Sequence, residues 1–216
     1  WKSIGYALNP YGVTRICDFA GCDAWTMYAG QDPKSYWGIW WDDMARTYDL
    51  LKSIAPDKPV INSENHVLRG YDPNAPPLKY GEYVDVIPWQ FFYTAVWQQA
   101  IHGQCAGEYW TYWENGKGYN LNERAKSMDA ISQAVRDLKR YADYVTAIAN
   151  KRPKVAILLS SAALAWSPKE HVNAETQIYK ALNMSGINAG FMLEEMLNDN
   201  ALNRYKVLII PQRSEE

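Results

Sequence analysis

Short apolar runs and longer stretches of helical spacing alternate along this chain, and that alternation restricts the fold more than any other feature. "ICDFAGCDAWTM" (16–27) reads as a strand region ending at Tyr28, followed by the loop "AGQDPKS". Residues 40–54 place Met44, Tyr48, Leu51 and Ile54 at helical spacing, and Pro56 closes the segment. "PVINSE" (59–64) then reads as a strand, with Pro59 at its first position, where a missing N–H is tolerated. After a long loop through "DPNAPP", "WQFFYTAVWQQAI" (89–101) reads as a helix following Pro88 and ended by Gly103; "GEYWTYW" (107–113) reads as a strand. Strand, helix, strand, helix, strand is the signature of a parallel sheet covered by helices.

The next stretch has the clearest helical period. Met128, Ile131, Val135, Leu138, Ala142 and Val145 form one stripe, with Arg136, Asp137, Lys139 and Arg140 largely off it. The stripe is too short for a coiled-coil seam and predicts one helix packed on the outside of a sheet. At "NKRPK" (150–154) the composition changes. "VAILLSS" (155–161) is continuously apolar up to its serines, as a strand buried on both faces would be. A loop follows, then "AETQIYKALNMSGI" (174–187) as a helix ending at Gly186, and "AGFML" and "YKVLIIPQ" as further strands. This second α/β unit, from residue 153 to 216, carries neither G-x-G-x-x-G nor G-x4-G-K-[ST], so it implies no nucleotide.

Composition narrows the partners. A formal charge of −2 with mixed signs lacks the basic patch that a nucleic acid needs. No apolar run approaches the roughly 18 residues of a membrane span. The chain opens on Trp1 without a signal-peptide pattern and is expected to be cut at both ends, which leaves its compartment open. Three cysteines, Cys17, Cys22 and Cys105, make an odd count. Cys17 and Cys22 could join His66 or His102 around zinc, but no C-x2-C pair supports that, and buried free thiols are the plainer expectation.

The aromatic content is unusual: 10 Trp and 16 Tyr in 216 residues, concentrated between Trp25 and Trp113. A tryptophan-rich core is one account. However, indole N–H and phenol O–H groups need partners, and apolar cores are filled more simply by Leu, Ile and Val. A cleft that stacks flat rings on the C–H faces of sugars is the other account, and the density favours it. Within "KPVINSENH" (58–66) an apolar strand runs into five consecutive polar residues, Asn62 to His66, with no Gly or Pro before Gly70. That pattern is a strand whose end opens into a site.

"HGQCAGEYWTYW", preceded by "TAVWQQAI", resembles the last helix and strand of the barrel in clan A glycoside hydrolases, closest to the family 42 type of β-galactosidase. "KPVINSENH" resembles the strand that carries the nucleophile there. "RPKVAILLSS", "ETQIYKALNMSGINAGFML" and "YKVLIIPQ" resemble the start of the flavodoxin-like trimerisation domain that follows the barrel. The resemblance implies an α/β chain: residues 1–152 as the C-terminal part of a (β/α)8 TIM barrel, and residues 153–216 as an incomplete flavodoxin-like domain. It also implies a β-glycoside substrate, a galactoside first, no cofactor or metal, and a homo-oligomer, possibly a trimer, for the full-length protein.

Glu64 matches the nucleophile of a retaining mechanism; a barrel-top salt bridge is its bland alternative. In such barrels catalytic side chains sit at the C-terminal ends of strands, and period-two alternation puts Val60, Asn62 and Glu64 on one face. Trp113 matches the tryptophan at the floor of the sugar site. Tyr28 matches a tyrosine that can hydrogen-bond the nucleophile, or is a rim aromatic without a role. Asn65 and His66 are candidates to line the cleft, with capping as the alternative for His66, and Glu114 to bind a substrate hydroxyl. Glu108 is read as structural. The acid/base carboxylate follows an Asn on strand four of the resembled family, which would precede Trp1. Residues 1–216 alone are therefore expected to be inactive and prone to associate. A non-catalytic sugar-binding barrel and a ligand-binding flavodoxin-like module are the alternatives; the second needs a phosphate loop, and "AALAWSPKE" (162–170) lacks glycine.

Overall fold

The computed structural model describes residues 10–22, 39–66, 89–110, 121 and 125–211; for 39–43, 64, 66 and 110 the backbone alone is described. Seven α-helices and six strands follow in order among the described residues. They are α1 (Pro10–Ile16), β1 (Ala20–Cys22), α2 (Ile39–Ile54), β2 (Val60–His66), α3 (Trp89–Ile101), β3 (Gln104–Trp110), α4 (Ala125–Arg140) and α5 (Ala142–Ala149). The rest are β4 (Val155–Leu159), α6 (Ser161–Trp166), α7 (Pro168–Met184), β5 (Ala189–Leu193) and β6 (Val207–Ile209). One three-stranded sheet has the order β1-β2-β3 and the other β5-β4-β6. The chain groups into two compact units: Trp1–Ala20, Tyr48–Val60 and Lys151–Glu216 form one; Gly21–Thr47 and Ile61–Asn150 form the other.

In the first unit, β4 lies between two parallel neighbours, with Val155 opposite both Ala189 and Val207. A central strand faces helices or loops on both sides, which is why "VAILL" carries no polar residue. Ala156, Ile157 and Leu159 are fully buried, and all five residues of β5 are buried. The strands stand in the spatial order second, first, third, the order in which a flavodoxin-like sheet begins. Tyr179 of α7 stacks on Phe191 of β5, ring centroids 5.6 Å apart. Gly186, at φ +73°, ends the helix where the sequence places its stop, because a left-handed residue there favours glycine.

Three expectations are corrected in this unit. Ile16 does not begin a strand. Residues Pro10–Ile16 are helical, with Pro10 at the first position, where its missing N–H costs nothing, and among the described residues the strand covers Ala20–Cys22. Residues 23–38 lie outside the described part. The expected loop after "VAILLSS" contains α6, because the Ser160 side chain caps it, accepting the N–H of Ala163 at 3.1 Å. Within "YKVLIIPQ" only Val207–Ile209 pair as a strand.

The second unit holds α3, β3, α4 and α5. Helix α3 covers Trp89–Ile101 as read from the sequence, with Phe91, Phe92, Ala95 and Val96 buried, and Gly103 takes φ +102° behind it. The predicted single helix over 128–145 is two. Tyr141 leaves helical geometry at φ −109° and ψ 23° between α4 and α5. Its ring lies 6.3 Å from that of Trp97, which is itself 6.4 Å from Tyr93, so part of the aromatic set packs helix against helix.

The predicted stripe is also displaced. Val135 is 54% exposed, whereas Ser127, Ala130 and Ala134 are buried. Small residues let the α3 and α4 backbones approach closely, and closeness rather than bulk decides which face turns inward. The three cysteines are free, as expected, but not buried: Cys17 and Cys22 are half-buried and Cys105 is exposed. No described helix is long and apolar enough to cross a membrane.

Candidate active site

Strand β2 is the middle strand of its sheet and carries "VINSENH". Val60 and Asn62 are buried, Ile61 is half-buried and Ser63 is exposed, its hydroxyl donating to the Cys22 carbonyl at 3.2 Å. Glu64, Asn65 and His66 are the last three residues of the strand, which starts after Pro59 and continues two residues past the expected end at Glu64. The acid therefore lies near its C-terminal end. The backbone of Glu64 and His66 is described. Tyr28, Trp113 and Glu114 lie outside the described residues, and Glu108 on β3 is exposed.

Asn65 is 2% exposed and belongs to a cluster of buried amides. Its Oδ1 accepts the Asn62 Nδ2 at 2.9 Å and the Gln99 Nε2 at 2.8 Å. Gln99, on α3, also lies 3.0 Å from the sulfur of Met44 on α2 and accepts from Asn65 Nδ2 at 3.4 Å. Buried amides are tolerated only when so paired. The neighbouring strand leaves room: a Cβ at Gly107 of β3 would come 3.2 Å from Asn65 Nδ2 and 2.3 Å from Gln104 Nε2. Strict alternation would set Asn62 and Asn65 on opposite faces; their hydrogen bond shows that the strand end departs from it. Gln99 was not singled out from the sequence. Its signal is the polar pair Gln98–Gln99 inside an otherwise apolar helix.

Tyr109 of β3 has its phenol raised above the ordinary value by burial, so it stays protonated, a neutral donor. Among the described residues no group of His, Cys, Asp and Glu is arranged to hold a metal ion.

A second polar constellation lies beyond β4. Ser160 donates its N–H to His171 Nε2 at 3.0 Å and its hydroxyl to Glu194 Oε1 at 2.7 Å. Ser161 donates to Glu195 Oε1 at 2.9 Å, and the Ala162 N–H points at Glu194 Oε2 at 3.4 Å. The carboxylate of Glu194 thus takes the donors that a phosphate-binding loop would offer a ligand, which weighs against the flavodoxin-like ligand module.

Neither a protein-family model nor a curated protein matches the sequence. Solved structures do. The apo exo-carrageenase GH42 from Bacteroides ovatus matches with TM-score 0.77 and 24% identity over 94% of this chain and 28% of that one. The cold-adapted β-galactosidase from Rahnella sp. R3 matches at 0.62 and 17%, over 94% and 30% of the two chains. GH5_18 from Streptomyces cattleya in complex with GlcNAc matches at 0.62 and 15%, over 96% and 52%. The chain therefore spans about a quarter to a half of the length of these proteins. It shares the mixed α/β fold with parallel strands of TIM-barrel glycoside hydrolases.

Proposed function

We propose that this chain is part of a retaining β-glycosidase in which Glu64 is the nucleophile. The observation that carries the reading is the placement of Glu64 at the C-terminal end of the middle strand of its sheet, in a chain with a glycoside hydrolase fold. Barrel enzymes of that kind build their sites from strand C-terminal ends. Residues 1–152 are then the later part of the barrel, and residues 153–216 open a flavodoxin-like domain, a reading supported by the second-first-third strand order. A β-galactoside is the substrate to test first; one of the structural neighbours is a β-galactosidase.

On this reading ionised Glu64 attacks the anomeric carbon and forms a glycosyl ester while a second carboxyl group, about 5 Å away, gives its proton to the departing aglycone oxygen. The same group, now ionised, takes a proton from the water that hydrolyses the ester and frees Glu64. Trp113 offers an aromatic floor to the sugar, with Tyr28, His66 and Glu114 as further candidates; the buried Asn65 side chain is tied to Asn62 and Gln99 instead. The full-length protein is a homo-oligomer, a trimer by resemblance, which sedimentation of the gene product measures.

The experiment is covalent trapping in the full-length gene product. A 2-deoxy-2-fluoro-β-galactoside with an activated leaving group labels Glu64, and Glu64→Gln keeps substrate binding while losing turnover by several orders of magnitude. Labelling at Glu108 or Glu114, or full activity in Glu64→Gln, overturns the assignment.

A further inference from the structure

We infer that Gln99 is a positioning residue for the reaction at Glu64 and acts through Asn65. The inference rests on the assignment of Glu64 as nucleophile and adds to it the device that holds the strand end in place.

Asn65 follows Glu64 directly, so the two share a peptide plane. The Asn65 side chain is held at one oxygen by two donors, Gln99 Nε2 at 2.8 Å and Asn62 Nδ2 at 2.9 Å. The three amides are 1%, 2% and 3% exposed for Asn62, Asn65 and Gln99. Leucines would fill the same volume without burying polar atoms, so packing alone does not ask for amides here. What a buried, mutually hydrogen-bonded amide cluster supplies is a restricted geometry, because Asn65 Oδ1 is held from two directions at once. Gln99 also touches the Met44 sulfur, so one side chain of α3 ties β2 to α2. Gly107 on the adjacent strand leaves the space that Asn65 occupies. A reacting carboxylate needs to be held within about 0.5 Å of its productive position, and an error of about 1 Å costs on the order of 100-fold in rate. Anchoring the residue next to it from the helix layer provides that constraint without touching substrate.

The test uses the full-length gene product, with 4-nitrophenyl β-galactoside for turnover and the activated 2-fluoro-galactoside for trapping. Labelling of the wild type at a carboxylate other than Glu64 removes the underlying assignment, and this inference with it, whatever the variants do. With Glu64 labelled, Gln99→Leu and Asn65→Leu each lower kcat by about 10- to 100-fold with KM changed less than about threefold. The trapping rate of Glu64 falls by the same factor. The double variant is no worse than the poorer single one, because both break the same contact. Asn65→Asp keeps the oxygen that both amides donate to. It loses less kcat than Asn65→Leu, and its added charge moves the acid limb of the rate profile to higher pH. Unchanged kcat and trapping with only a lower melting temperature, or additive losses in the double variant, overturn the inference. If Gln99→Leu does not fold, Asn65→Asp decides: an unmoved acid limb overturns it.

Discussion

Phe191 donates its backbone N–H to the hydroxyl of Ser53 at 2.9 Å, and Ser53 donates in turn to the Asp49 carbonyl at 2.6 Å. Phe191 is in the middle of β5, which ends the order β5-β4-β6, so this N–H finds its acceptor in a helix side chain. The approach is close: a Cβ at Gly190 would come 2.8 Å from Ser53 Oγ and 2.7 Å from the ring of Pro153.

Ser53→Ala leaves the buried Phe191 N–H without its acceptor while changing almost no volume. The expected cost is about 1–3 kcal/mol, the desolvation penalty of an unmade hydrogen bond. Urea denaturation measures it as a lower midpoint at unchanged slope. A loss below about 0.5 kcal/mol would show that the hydroxyl is dispensable.

Tyr179 donates its hydroxyl to Asp49 Oδ2 at 2.6 Å and is 1% exposed. Tyr179→Phe keeps the ring stacked on Phe191 and removes that bond together with the one the hydroxyl accepts from Asn183 Nδ2 at 3.3 Å, which leads to a loss of about 1.5–3 kcal/mol, since the main acceptor is a carboxylate. A double-mutant cycle with Asp49→Asn checks it. Additive single and double losses would mean that the pair does not interact.

Ala134 is 0% exposed on the face of α4 that packs against α3. Ala134→Leu is expected to destabilise by about 1–3 kcal/mol through overpacking, despite the gain in apolar volume. Val135→Leu, one position round and half-exposed, should be nearly neutral. Thermal melts of the two variants compare them, and equal effects would refute the placement of the helix face.

His171 accepts the Ser160 N–H at Nε2, which requires a neutral imidazole. Burial lowers its pKa below the ordinary value, and the Glu194 carboxylate opposes this with a smaller effect. Above about pH 6.5, the unfolded value, both states are neutral and the contact contributes fully. As the pH falls below that, the unfolded chain takes up a proton that the folded chain refuses, and stability is lost until the folded pKa is passed. Between about pH 7.5 and 5.5 the wild type should therefore lose more stability than His171→Gln. Parallel declines in the two proteins would show that His171 is not the group responsible.

Much of the architecture is legible in local pattern. Helix α3 follows from an apolar run between Pro88 and Gly103, and β5 from "AGFML" between Gly186 and a polar stretch, because start and stop chemistry is written in single residues. Met44, Tyr48, Leu51 and Ile54 are all buried as their spacing implies. Helix α1 lies, but for Ile16, ahead of the first stretch read from the sequence, and its seven residues are too few to carry a periodic stripe.

The sequence by itself determined the alternation of strands and helices, the parallel sheet around the apolar β4, and the position of an acid at the end of β2. These depend on residue type and on spacing within one element. Only the tertiary structure decided that Ala130 and Ala134, not Val135, face α3, and that α4 and α5 part at Tyr141. It alone showed that Asn65 is held by Gln99, 34 residues away. Each of these depends on which surface a distant segment presents. The free energy of a close helix contact or a buried amide pair belongs to two segments together, and neither segment records it alone.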